Sequence, residues 1–171
     1  MYLVELSMPA GSVKDKHVFL PERIVSGGQT GVDRAGLDAA MALNLQHGGW
    51  CPKGRRSEDG PIPACYELQE MESPAYPART EQNIIDSSAT VILYLGTLKG
   101  GTQLTRHLAR RWSRPLVCLD LQTAAPLDLA AWLRDQQPQV LNVAGPRESS
   151  HPGIGEQAFC FLVDALCGLS G

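Results

Sequence analysis

From residue 22 onward, apolar positions follow two alternating rhythms. Short continuous apolar runs, the mark of buried strands, alternate with stretches in which apolar residues recur every three or four positions, the mark of one-sided helices. Arg23 to Ser26 is a short apolar strand ending in Gly27-Gly28, and Val32, Gly36, Ala39, Ala40 and Leu43 line one face of the helix after it. Gly48 to Cys51 predicts a second strand and Tyr66 to Met71 a third. Between them lies CPKGRRSEDGPIP, a loop dense in glycine, proline and charge. Pro77 to Ser87 predicts a helix and Thr90 to Leu95 a buried strand. Gly100-Gly101 opens a helix with Leu104, Leu108 and Trp112 on one face. Leu116 to Leu119 (strand), Leu127 to Asp135 (helix) and Val140 to Val143 (strand) follow. Ile154, Ala158, Phe161, Leu162, Ala165 and Leu166 form the stripe of a closing amphipathic helix.

Buried strands that alternate with helices imply a mainly parallel sheet covered on both faces, because parallel neighbours need crossover helices. Right-handed crossovers make this a doubly wound α/β fold. No repeat or linker divides residues 22–171, which read as one ligand-binding domain. Residues 1–21 read as an extension, with Val18 to Leu20 as a candidate edge strand. In such sheets ligands bind beyond the carboxyl ends of the strands, which directs attention to the strand-to-helix turns.

Composition narrows the function classes. The 171 residues carry fifteen Lys and Arg against eighteen Asp and Glu, a net charge of −3. That balance argues against a dedicated nucleic-acid binder but permits a small anionic ligand, which needs only local donors. Arg106, Arg110, Arg111 and Arg114 lack interleaved aromatics and read as a solvated or subunit-facing surface. The longest apolar runs are far too short to span a bilayer and the N-terminus has no basic-then-apolar leader, so a cytoplasmic protein is expected. The five cysteines are odd in number with no CxxC pair and are expected to be buried reduced thiols. The four histidines are scattered without ligand spacing, so no protein-ligated metal is expected.

Three strand ends carry candidate chemistry. SGGQTGVDRAG (26–36) combines Gly27, Gly28 and Gly31, which free the backbone to turn tightly, with Thr30 and Asp33 in the spacing of a capping box. Free amides at the start of a helix there would suit phosphate. A second glycine turn, Lys99-Gly100-Gly101-Thr102, follows a second buried strand. On adjacent parallel strands, the two turns would face one cleft. The third strand end, NVAGPRES (142–149), offers Arg147 as an anion clamp or as the partner of a surface carboxylate. Lys53, Arg55 and Arg56 could fold over a ligand or form a solvated turn. Thr80 and Asn83 could face it or cap their helix. There is no GxSxG elbow and no informative Cys/His pair, so the residues favour binding over chemistry, with Asp33, Glu81 and Glu148 as the acids nearest the cleft.

In the order in which they occur, IVSGGQTGVDRAGLDAA (24–40), CPKGRRSEDGPIP (51–63), YPARTEQNIIDSSATVIL (76–93), KGGTQLT (99–105) and NVAGPRESSHPGIG (142–155) resemble the family of putative molybdenum carrier proteins. That family belongs to the Rossmann-like superfamily that also holds the lonely-guy phosphoribohydrolases and DprA-type proteins. The resemblance implies a Rossmann-like homo-oligomer, a dimer or tetramer, binding a small phosphate-bearing ligand at the glycine turns. The molybdenum cofactor, a pterin with a phosphate tail, or a nucleotide is the implied ligand. Carried over by position, the contacts are Gly27, Gly28, Gln29, Thr30, Gly31, Asp33, Thr80, Asn83, Gly100, Gly101, Thr102, Gly145 and Arg147, to which the loop residues Lys53 and Arg55 add charge. The lonely-guy enzymes carry PGGxGTxxE, whereas LKGGTQLTRH lacks both the proline and the glutamate. A non-catalytic carrier is therefore the leading expectation. A nucleotide-processing enzyme cleaving an N-glycosidic bond, or a nucleotide-responsive sensor, is the alternative. Neither nucleic acid nor membrane is expected as a partner.

Overall fold

A computed structural model describes residues 19–169. Its main sheet contains β1 (Arg23–Val25), β2 (Gln46–Gly48), β7 (Ala89–Tyr94), β8 (Leu116–Asp120) and β9 (Val140–Ala144). They lie in the order β2-β1-β9-β7-β8, and every pairing is parallel. The connecting helices are α1 (Val32–Ala42), α2 (Tyr76–Ile85), α3 (Gly100–Arg111), α4 (Pro126–Gln136) and α5 (Ile154–Cys167). The expected α/β, doubly wound, Rossmann-like arrangement is thus observed.

Alternate residues of each strand serve opposite faces. Ile24, Val91, Leu93, Leu141 and Val143 join Val32, Leu129, Leu133, Phe161 and Leu162 in the main core, beneath α1, α4 and α5. A smaller cluster of Ile84, Leu108 and Ala109 joins α2 to α3 on the other face. At residue pair Thr90–Asn142, two polar side chains meet on that second face.

β9 is the last strand in the chain yet lies at the centre of the sheet, between β1 and β7. The two glycine turns therefore follow strands that are next-but-one neighbours rather than adjacent ones. Helices after β9 and β7 leave on opposite faces, so a crevice opens between these two strand ends.

The expected strand Gly48–Cys51 is two elements. Gly49, at φ 121°, breaks it into β2 and a two-residue β3 (Trp50–Cys51), which pairs with β6 (Gln69–Glu70) instead of with the main sheet. Of the expected strand Tyr66–Met71 only β6 forms. The intervening loop carries a small antiparallel hairpin, β4 (Arg56–Ser57) and β5 (Gly60–Pro61). Val18 lies outside the described residues, and Phe19 and Leu20 pack against the core without joining the sheet. The cysteines are all free, but only Cys51 is fully buried; Cys118 is half-buried and Cys65, Cys160 and Cys167 are exposed. Arg110 and Arg111 lie on the exposed face of α3, while Arg114 turns inward to donate to the Ile85 carbonyl at 2.7 Å. Among the described residues, no helix is long and apolar enough to cross a membrane.

Candidate functional site

A cleft of about 650 Å³ opens at the carboxyl ends of β1, β9 and β7, bounded by α2 and the start of α3. Of the residues expected at a site, it brings together Gly27, Gln29, Asp33, Thr80, Asn83, Gly100, Gly101, Thr102, Gly145 and Arg147. Lys99, Leu104, Tyr76, Pro77, Asn142, His151 and Arg79 complete most of its wall.

Three helices start at these strand ends, and at two of them part of the amides is already engaged. At α1 the amide of Val32 donates to the Pro146 carbonyl, that of Gln29 to the Asp33 carboxylate, and that of Thr30 to the Gln29 side chain. At α5, Glu148 accepts from the amides of Gly153 and Gly155. At α3, the amides of Gly100 and Gly101 have no acceptor among the described residues, and both glycines line the cleft. An added Cβ at either one would meet no atom within 4 Å. The start of α3, with its partial positive charge, is thus open to the cleft.

The first turn is tight for reasons of packing. An added Cβ on Gly28 (φ 73°) would run into Leu68 and Ile62, and one on Gly31 (φ 76°) into the backbone of Pro146 to Glu148. One on Gly27 would fall inside the guanidinium of Arg79. The capping box expected from Thr30 and Asp33 does not form, because Gly31 is the N-cap and α1 starts without a side-chain cap. Thr30 instead donates to Glu58 and accepts from the Glu148 amide at 3.2 Å. Gly28, Thr30 and Gly31 are not in the cleft lining.

Arg79 is the residue that sequence reasoning passed over. It leans from α2 across Gly27 and pairs with Asp33 at 2.7 Å; the two side chains are 13% and 5% exposed. Its ring-facing side lies 6.0 Å from the Tyr76 centroid. Among the described residues, Arg79 Nε is the only sealed side-chain nitrogen or oxygen without a hydrogen-bond partner. The signal was present in YPART, one position before Thr80, but nothing in local spacing shows a guanidinium crossing to another helix.

Thr80 and Asn83 sit inside α2 and cap nothing. Thr80 donates to the Tyr76 carbonyl, and Asn83 spends both ends of its amide on the Trp50 backbone, at 2.7 and 3.0 Å. Lys53 and Arg55 are not in the cleft lining either. The Arg55 guanidinium is consumed by its own loop, donating to the carbonyls of Ile62, Pro63, Tyr66 and Leu68. That loop packs on the outer side of the first glycine turn: Leu37, Cys51, Ile62 and Tyr66 form one cluster, and Arg34 links the Gly28 carbonyl to Asp59. Hydrogen bonds from Arg34, then from Ser57, hold the Asp59 carboxyl down at about 2. Burial opposes the Glu58 charge, but hydrogen bonds from Ser149 and Thr30 outweigh it and lower that carboxyl also. Arg147 reaches Glu58 at 3.7 Å from the cleft rim, so Glu58 is its surface-carboxylate partner. Of the three candidate acids only Asp33 lines the cleft. Glu148 caps α5, and Glu81 accepts from Trp112 Nε1 at 2.9 Å on the outside of α2.

Comparison with known proteins places this geometry. Residues 24–166 match the model of the circularly permutated YpsA SLOG family. The chain belongs to that family. A crystal structure of a putative molybdenum carrier protein from Syntrophus aciditrophicus matches with a TM-score of 0.83 and 41% identity, over 86% of this chain and 96% of the other. A comparison with curated proteins found no match. Among the described residues, no group of three or more His, Cys, Asp and Glu side chains is placed to hold a metal ion.

Proposed function

We propose that this SLOG-family protein binds a small ligand with a phosphate and a planar ring, and carries it rather than transforming it. The observation that carries the reading is the pairing, across one cleft, of the open start of α3 with the Arg79 guanidinium. Gly100 and Gly101 offer unspent amides, Arg79 brings the charge of its guanidinium to the same wall, and Thr102 and Lys99 stand beside them. Two independent donor groups converging on a glycine-lined space suit phosphate oxygens, since charge-assisted bonds to oxyanions are the strong ones. Tyr76, Pro77 and Leu104 supply an apolar wall for the ring.

A nucleotide and the molybdenum cofactor both have this chemistry. The name of the 41% identical relative favours the cofactor. In that case the metal belongs to the ligand and the protein holds its phosphate. Mass spectrometry of freshly purified protein, native and then denatured, with molybdenum analysis of the same sample, tests the reading. A pterin phosphate with stoichiometric molybdenum supports the cofactor; a nucleotide without molybdenum supports the nucleotide. A protein that purifies empty and binds neither overturns the proposal.

A further inference from the structure

The cleft floor holds a second recognition element, and its argument rests on the reading just proposed. Two asparagines line the cleft, both almost wholly buried: Asn83 at 2% and Asn142 at 3% exposure. Asn83 has both ends of its amide tied to the Trp50 backbone and is structural. Asn142 has only one end tied. Its Nδ2 donates to Thr90 Oγ1 at 3.3 Å, across the β7–β9 pair, from a threonine that is itself fully buried.

The other end, Oδ1, has no donor among the described residues. It is also absent from the sealed orphan atoms, of which Arg79 Nε is the only one, so it keeps contact with the cleft. Burying an amide acceptor without a partner is unfavourable, and an apolar residue would fill this strand position more easily. With Nδ2 on Thr90, Oδ1 is the end of the amide that points outward. A phosphate oxygen cannot satisfy a carbonyl, so this group is not part of the anion site.

We infer that Asn142 is a specificity-determining residue that accepts a hydrogen bond from a hydroxyl or amino group on the uncharged part of the ligand, and that Thr90 positions its amide. The protein therefore distinguishes a ligand with a donor at that place from one presenting only phosphate or only an apolar ring.

The test uses the full chain with two probes, adenosine 5′-monophosphate and inorganic phosphate, measured by titration calorimetry. The variant is the double replacement Thr90→Val with Asn142→Leu, which removes both members of the buried pair and leaves neither orphaned. The melting temperature is expected to stay the same or rise, phosphate affinity to change less than twofold, and affinity for the monophosphate to fall about tenfold. Asn142→Leu alone is expected to lose the same affinity but to melt lower, because Thr90 is left unpaired. Unchanged affinity for the monophosphate overturns the inference, as does an equal loss for both probes. A wild-type protein that gains nothing from the nucleoside over phosphate also overturns it. Wild type that binds neither probe brings down the phosphate reading itself, a result distinguishable from the others.

Discussion

Glycine plays two opposite roles in this molecule. At Gly28 and Gly31 a side chain would collide with packed neighbours in a backbone conformation that L residues rarely adopt, so these positions serve the fold. At Gly101 nothing stands within 4 Å of an added Cβ, so that position serves whatever enters the cleft. Gly101→Val is therefore expected to keep its melting temperature within about 2 °C and to lose phosphate binding, whereas Gly28→Val is expected to be recovered mostly insoluble. Arg79 behaves differently again. Arg79→Met removes the anion donor and leaves Asp33 buried without its partner, which costs roughly 3 kcal/mol. Chemical denaturation of Arg79→Met against the double replacement with Asp33→Asn checks this, with the double variant expected to recover part of the loss.

Elements were more legible than their junctions. The rhythm of apolar positions placed each helix within a few residues, and both glycine turns stood out because glycine pairs between a strand and a helix have few other uses. What the rhythm could not show was cross-chain packing. Nothing near residue 30 says that Thr30 will turn to Glu58 instead of capping α1, because Glu58 arrives from a distant hairpin. The loop from 51 to 63 reads as a cover over a ligand or as a solvated turn, yet Arg55 gathers the carbonyls of Ile62, Pro63, Tyr66 and Leu68 and fixes it as a buttress behind the first glycine turn. Arg55→Ala is expected to expose this segment to limited proteolysis while leaving α4 and α5 protected, which peptide mapping would show. Asp59 ties the same hairpin to α1. Its carboxyl is depressed to about 2, so its stabilising effect is complete above the unfolded carboxylate range near 4 and fades as pH falls toward 2. Wild type is expected to lose melting temperature across that window more steeply than Asp59→Asn.

On the scale of the whole molecule, the order β2-β1-β9-β7-β8 decides where chemistry is possible. Sequence reading reached the α/β class and the rule that ligands bind at strand ends, but the central position of β9 is a long-range fact that no local window contains. That insertion separates β1 from β7 and makes room for a cleft whose floor includes Asn142, backed by Thr90. It also explains why residues 120 apart in the chain, such as Gly27 and Arg147, line one space. The central claim is that this space takes a phosphate-bearing ligand at the start of α3. Titration of the wild-type chain and Gly101→Val with adenosine 5′-monophosphate tests it most directly. The account predicts saturable one-to-one binding by the wild type and none by an equally well folded Gly101→Val; equal binding by the two proteins, or none by either, would contradict it.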